Sequence, residues 1–499
     1  MQYQSSRGNS PQVSASQAII NGIAPDGGLY IPEQIPSLSK EDFINWGSLS
    51  YQGRAEAVLR RFLTDFTPME ISCCVQAAYN ELNFDNAGIA PLAELSPRLH
   101  MLELWHGPTS AFKDMALQIL PQLLTTSMRK TGEKSQIVIL VATSGDTGKA
   151  ALEGFRDVEG TRIVVFYPAQ GVSQIQRLQM ITQAGENVNV AGVEGNFDDA
   201  QNGVKRIFAD QDFIALLAQN NLKMSSANSI NWGRLLPQIV YYLSAYADLL
   251  QQGRLEYGEE VNIVVPTGNF GNILGAYYAR EMGLPVNRLI CAANANNILT
   301  DFINSGVYDR NRPFYKTISP SMDILISSNL ERLLAEVSGR DYRQVNDWMK
   351  QLATSGRYEV NEPVRDRIQA LFWSDFADDV QTIEAIRKTW DQYQYLVDTH
   401  TAVALHVYER YQEKTGDTRT TIIASTASPF KFGSSVAEAI LPEAIRAGKD
   451  EFSLIGYLAE WTGYEIPRGI RDLDKLPVLH DTTTSPAEMR NTVARFLNL

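Results

Sequence analysis

Lys113 is the residue whose type and position offer the most chemistry. It follows a Gly107-Pro108 turn and opens a helical pattern over residues 114–130. Met115, Ile119, Leu120, Leu123 and Leu124 recur there at helical spacing, and Pro121 marks a kink or local irregularity. An ammonium at a helix start meets the positive end of the helix dipole. Burial by Ala111, Phe112 and Met115 would disfavour its charge further. Both effects favour the neutral amine that Schiff-base chemistry requires. Position alone equally suits a solvated lysine beside Asp114.

Three further stretches carry polar groups at the ends of apolar runs. Gly268-Asn269-Phe270-Gly271-Asn272 follows one such run and precedes a helical pattern over residues 273–280. Glycines there let backbone N–H groups approach an anion, although a Gly-x-x-Gly turn can also be a plain strand–helix connection. Residues 142–149, Ala-Thr-Ser-Gly-Asp-Thr-Gly-Lys, look like a damaged Walker A loop. Thr143 stands where its first glycine belongs and Ala150 where Ser or Thr must follow the lysine, so the nucleotide reading is poor. Asn228, Ser229, Asn231 and Arg234 open a helix that carries Gln238, Tyr241 and Tyr242. Arg234 there could clamp a phosphomonoester, or the asparagines could form an ordinary N-cap before a surface arginine. His400 and His406 are six residues apart, wrong for the paired ligands of a helical zinc site, and no metal cluster is apparent.

The elements that must position these groups follow from the apolar pattern. Residues 137–142, 162–167 and 188–193 read as strands, alternating with helices over 148–155, 173–183 and 198–210. Three consecutive strand–helix units imply a parallel, doubly wound sheet. Residues 261–265, 289–293 and 420–424 read as strands of a second sheet, and 304–394 as a largely helical stretch between them. Upstream, 24–32 is a turn with a short extended segment, and 40–82 reads as helices with Thr67-Pro68 as N-cap and first helical position. The expected fold is α/β with two doubly wound, mainly parallel sheets, plus N-terminal and helical additions.

With 499 residues the chain is too long for one simple core. Its net charge of -13 excludes non-specific nucleic-acid binding through a basic surface, while leaving room for a local basic pocket. Three cysteines, Cys73, Cys74 and Cys291, cannot form a disulfide framework. Without an apolar leader core or a membrane-length apolar run, the expectation is a cytoplasmic protein with no membrane partner. Monomer and homodimer both remain open.

The string from His106 to Asp114, His-Gly-Pro-Thr-Ser-Ala-Phe-Lys-Asp, resembles the pyridoxal-phosphate lysine motif of threonine synthases. Tyr3-Gln-Ser-Ser-Arg-Gly8 and the 24–32 segment resemble the same family's N-terminal signature. The resemblance covers most of the chain, its motifs running in order from Tyr3 to Phe432. It implies Lys113 as the cofactor-bearing, catalytic lysine. It also implies that Gly268, Asn269, Phe270, Gly271 and Asn272 hold the phosphate of pyridoxal 5'-phosphate. Thr426, in Ser425-Thr-Ala-Ser-Pro-Phe-Lys-Phe432, would face the ring nitrogen, although Ser428 and Phe430 replace the family's usual His and Ala. Thr143, Ser144, Asp146 and Thr147 would grip the substrate carboxylate, and Asn228, Ser229, Asn231 and Arg234 its phosphate. The 398–402 segment resembles a family Asp-Pro-His-Thr-Ala motif with Thr399 in place of Pro, and would shape the site's edge.

The implied reaction converts O-phospho-L-homoserine and water to L-threonine and phosphate, with a serine/threonine dehydratase, a phospho-lyase or a non-catalytic cofactor-binding relative as alternatives. The implied organisation is an N-terminal domain over 1–100 and a large cofactor-binding domain over 101–134 and 211–303. A small domain over 135–210, a helical insertion over 304–395 and a C-terminal part over 396–499 completing the large domain make up the rest. The cofactor would lie between the two sheets.

Overall fold

A computed structural model describes residues 1–499 other than Ser144, Gln170 and Gly171, and other than the side chain of Asp198. Two parallel-stranded sheets dominate it, as the apolar runs imply. The larger has six strands in the order Phe372–Phe376, Val286–Ala293, Val261–Pro266, Thr421–Ser425, Leu99–Glu103 and Leu92–Ser96. Every neighbouring pair is parallel except the last. The smaller has five parallel strands in the order Thr483–Thr484, Val188–Val193, Thr161–Pro168, Gln136–Ala142 and Leu222–Ser225.

Strands covered on both faces must be apolar at successive positions. In the small sheet, Val138, Leu140, Val164 and Phe166 pack on one side against Met489, Val493 and Leu497 of the terminal helix. Ile137, Ile139, Val141, Ile163 and Val165 join the main core on the other side.

The sheet memberships move three of the expected boundaries. Leu222–Ser225 pairs with Gln136–Ala142 and so belongs to the small sheet, although 211–303 was expected to lie wholly in the large domain. The end of the chain also lies on the small sheet, through Thr483–Thr484 and the helix Met489–Leu497, rather than completing the large one. Within the stretch read as helical, Phe372–Phe376 extends the large sheet. These strands have two to five residues, too few for the pattern to separate them from loop.

The helical pattern after Lys113 is interrupted. Asp114–Leu117 and Leu120–Thr131 are separate helices, with Pro121 in the first turn of the second. Proline there removes a donor and its ring clashes with the carbonyl four residues back, that of Leu117. That carbonyl packs against Gly154, where an added Cβ would lie 2.0 Å from it. The N-terminal expectation holds: Tyr3–Ser5 pairs with Tyr30–Pro32, and Thr67 caps Pro68–Ala78 in a capping box with Glu70. Among the described residues, no helix is long and apolar enough to cross a membrane.

Candidate active site

The loop before Lys113 is fixed by its own residues. Asp114 accepts from the Thr109 N–H at 2.9 Å and the Thr109 hydroxyl at 2.7 Å, closing the turn. Gly107 is required there, because an added Cβ would lie 2.3 Å from that of Asp114. Residues 110–112 then run antiparallel to 426–428: Phe112 N–H donates to the Thr426 carbonyl at 2.8 Å, and Ser428 N–H to the Ser110 carbonyl at 3.0 Å. This short ladder binds the lysine loop to the loop that carries Thr426.

Lys113 occupies the N-cap position of Asp114–Leu117 and is 8% exposed. Burial lowers its basicity; Asp146 opposes that effect, and the charges of Lys431 and Arg234 add to it. The direction agrees with the sequence argument, but the principal cause does not. A helix of four residues has little dipole, and desolvation dominates.

Nζ of Lys113 lies 3.2 Å from Asp146 Oδ2 and 3.3 Å from Ser321 Oγ. Asp146 also meets Lys431 at 3.0 Å and accepts from Gln176 at 2.9 Å and Ser321 at 2.8 Å. Burial works to raise the Asp146 carboxyl, but Lys431 and Lys113 outweigh it, and the group is held well below the usual carboxylate range. Its carboxylate is therefore a counter-ion for two lysines and unsuited to hold a substrate carboxylate. Its backbone stands at the start of the helix Asp146–Phe155.

Lys113, Asp146 and Ser321 face a cavity of about 1090 Å³, which is also lined by Thr143, Thr147, Asn228, Ser229, Arg234, Gly268 to Asn272 and Thr426. Thr143 holds the turn, its hydroxyl accepting from the N–H groups of Gly145 and Gly148, both at 2.9 Å. Ser144 lies outside the described residues. Thr147 Oγ1 receives Arg234 Nη2 at 3.4 Å. Arg234 is buried, donates to the Ala227 carbonyl at 2.7 Å and, among the described residues, forms no ion pair; burial lowers its pKa to about 10. Asn228 and Ser229 flank it on the cavity wall.

Asn231 does not belong with them. It is 1% exposed, caps Trp232–Leu235 through Gly233 N–H at 2.9 Å, and donates to the carbonyls of Ile19 and Ser226. The capping alternative is the one realised, and all its polar atoms are occupied away from the cavity.

The 268–272 loop has the features of an anion cradle. It connects Val261–Pro266 to the helix Gly271–Glu281, whose N-cap Phe270 is held at φ +62°. Tyr241 and Tyr242 hydroxyls both donate to Asn272 Oδ1 at 2.6 Å, leaving Asn272 Nδ2 a buried donor without a partner among the described residues. At Gly268 an added Cβ would lie 2.7 Å from the Ser321 carbonyl. An uncharged, donor-rich loop with a buried amide N–H unpaired among the described residues fits a phosphate group.

Two groups at this site, Ser321 and Gln176, lie outside every stretch that the sequence singled out. Lys431 and the Asp398–His400 pair lie within such stretches, but their contacts with Asp146 and Ser321 were not foreseen.

The chain matches the family model "Pyridoxal-phosphate dependent enzyme" over residues 88–362, which places it in that class. Models for "Threonine synthase N terminus" and "Threonine synthase, C-terminal" match residues 2–79 and 401–460. The threonine synthase of Saccharomyces cerevisiae is 37% identical over 466 residues, covering 88% of this chain and 89% of that protein. The crystal structure of pyridoxal-phosphate-bound threonine synthase from Brucella melitensis superposes with a TM-score of 0.87 at 35% identity, covering 99% of both chains. The chain belongs to the threonine synthase family. Human threonine synthase-like 1 is 40% identical over 452 residues; the match covers 88% of this chain and 60% of the human protein's length.

Proposed function

We propose that this chain converts O-phospho-L-homoserine and water to L-threonine and phosphate. The observation that carries the reading is the pairing, in one cavity, of Lys113 with Arg234. The first is a buried lysine biased towards its neutral form, the second a buried guanidinium that forms no ion pair among the described residues. A charge buried without a partner is costly, and a phosphoester would relieve it.

Lys113 would hold pyridoxal phosphate covalently. The N–H groups of the 268–272 loop with Asn272 Nδ2 would receive its phosphate, and Thr426 would face its ring nitrogen. A hydroxyl at that nitrogen leaves it largely unprotonated. When bound, the cofactor supplies a sink for the electron pair left at the substrate Cα.

The N–H groups at the start of Asp146–Phe155, with Thr143, Ser144 and Thr147, would orient the substrate carboxylate. Arg234, Asn228 and Ser229 would hold its phosphate. Lys113, as a neutral amine, takes the Cα proton, and Asp146 beside it stabilises the ammonium that results. Loss of a Cβ proton and of phosphate from Cγ, protonation of Cγ, addition of water at Cβ and return of a proton to Cα complete the exchange. Arg234 steadies the departing phosphate throughout.

The test is phosphate release from O-phospho-L-homoserine by purified, cofactor-loaded protein, with threonine measured in the same samples. Equal yields are expected. Phosphate without threonine would identify a phospho-lyase, and neither product from a cofactor-loaded protein would overturn the proposal.

A further inference from the structure

We propose that Ser321 is a positioning residue that aims the Lys113 amine into the cavity. The inference rests on Lys113 being the cofactor-bearing lysine, and it concerns a residue outside every motif that pointed to the site.

A neutral primary amine has two N–H bonds and one lone pair. Around Lys113 Nζ, two oxygens stand as acceptors: Asp146 Oδ2 at 3.2 Å and Ser321 Oγ at 3.3 Å. Ser321 acts here as an acceptor because its own proton goes to Asp146 Oδ2 at 2.8 Å. With both N–H bonds committed, the tetrahedral nitrogen has one direction left for its lone pair. Lys113, Asp146 and Ser321 all line the cavity, and the cavity is where that direction finds space. With Asp146 as sole acceptor, the amine would turn about its Cε–Nζ bond and present the lone pair only part of the time.

Ser321 is held independently of the lysine. Its N–H donates to His400 Nε2 at 3.1 Å. An accepting Nε2 puts the imidazole proton on Nδ1, which lies 2.8 Å from Asp398 Oδ2. The loop that delivers Ser321 is closed by Asp323, which accepts from Thr317, Asn294 and Asn296. The Ser321 carbonyl packs on Gly268, so the segment that aims the lysine also roofs the phosphate cradle. Such a chain of fixed neighbours suits a group whose work is orientation.

The step that reads orientation directly is capture of the cofactor. The Nζ lone pair forms a bond to the aldehyde carbon. The carbonyl π pair moves to oxygen, the two amine protons leave with that oxygen as water, and a carbon–nitrogen double bond remains.

The experiment is reconstitution of cofactor-free protein with pyridoxal phosphate, followed by the absorbance of the covalent link across cofactor concentrations. The half-saturating concentration reports reversible docking, and the limiting first-order rate reports the attack. In Ser321→Ala the limiting rate is expected to fall about tenfold to a hundredfold, with half-saturation within about threefold of wild type, and Ser321→Thr is expected to restore the rate. An unchanged limiting rate in Ser321→Ala would overturn the proposal. So would weakened docking in both variants with no recovery in Ser321→Thr, which would mark Ser321 as part of the roof only. Failure to make threonine leaves this assay intact, so the two proposals fail separately.

Discussion

The two sides of the cavity are built from different chemistry. On the large-sheet side, the 268–272 loop and Thr426 present backbone N–H groups, an amide and a hydroxyl, with no charge among them. Where the small sheet meets it, Asp146 of the small-sheet loop sits between two buried lysines that large-sheet loops supply. A group that only has to be held can be held by neutral donors, which are cheaper to bury. A lysine that must change protonation needs a fixed countercharge within reach, whatever the desolvation cost. The contrast therefore separates holding from reacting, and it can be broken from either side.

The largest effect is expected from Lys113→Ala. Product formation should fall by at least about 10³-fold, because the nucleophile and the base are lost together. The covalent cofactor absorbance should vanish while the fold, read by circular dichroism, is retained. An equal loss with the absorbance intact would place the covalent link on another lysine.

Next comes Asp146→Ala. It leaves Lys431, 0% exposed, as a buried cation whose remaining partner is the Thr109 carbonyl at 2.8 Å. Breaking a buried pair from one side costs about 3–5 kcal/mol, and replacing both partners by apolar groups costs much less. Denaturant unfolding should therefore show Asp146→Ala/Lys431→Met to be more stable than Asp146→Ala alone. On the neutral side, Asn272→Ala removes the acceptor of two tyrosine hydroxyls and should cost about 1–3 kcal/mol. A larger loss from Asn272→Ala than from Asp146→Ala would reverse the comparison.

Arg234 tests the part of the wall that faces substrate. Arg234→Ala should lower kcat/KM for O-phospho-L-homoserine by about a hundredfold, mainly through KM, with half-saturation by pyridoxal phosphate unchanged. Arg234→Lys should recover only part of it, since a point charge cannot reproduce a planar fork.

How legible the two sides were follows from the same contrast. The neutral side lies on contiguous strings: a strand, a glycine turn and a helix start all fall within residues 261–281, so local pattern was sufficient to find it. The charged side is assembled from distant segments. Lys113, Asp146, Ser321 and Lys431 come from four elements, and neither Pro320-Ser321-Met322 nor Phe430-Lys431-Phe432 has a spacing that implies its partner. Asp146 was expected on the substrate side, and its carboxylate instead meets a lysine 285 residues away (431 minus 146). Asn231 erred the other way: its two local readings were equal in sequence, and only packing against Ile19 selected the cap.

Charge also lies behind the cavity wall, and there it gives the smallest expected effect on activity. His106 lies between Asp85 at 2.6 Å and Glu103 at 2.8 Å, and Glu103 also receives the Tyr395 hydroxyl at 2.6 Å. Next to it, Trp105 donates to Ser425 Oγ at 3.1 Å, tying the cluster to the end of the strand that leads into Thr426. Burial works to lower the His106 pKa, but the two carboxylates prevail and raise it to about 9. A raised pKa stabilises the folded state below the unfolded value near 6.5, and the contribution disappears as pH rises through about 9. The full linkage is up to about 3 kcal/mol. Asp114, raised by burial to about 6 despite its bonds to Thr109, works in the same direction over a lower window: its contribution is full below about 3.8 and lost as pH rises through 6. Unfolding free energy should therefore fall between pH 6.5 and 9 in the wild type, and His106→Gln should flatten that limb. Because the cluster does not line the cavity, kcat at pH 7 should change by less than about tenfold. A His106→Gln variant with an unaltered alkaline limb would show that the imidazole is not held charged.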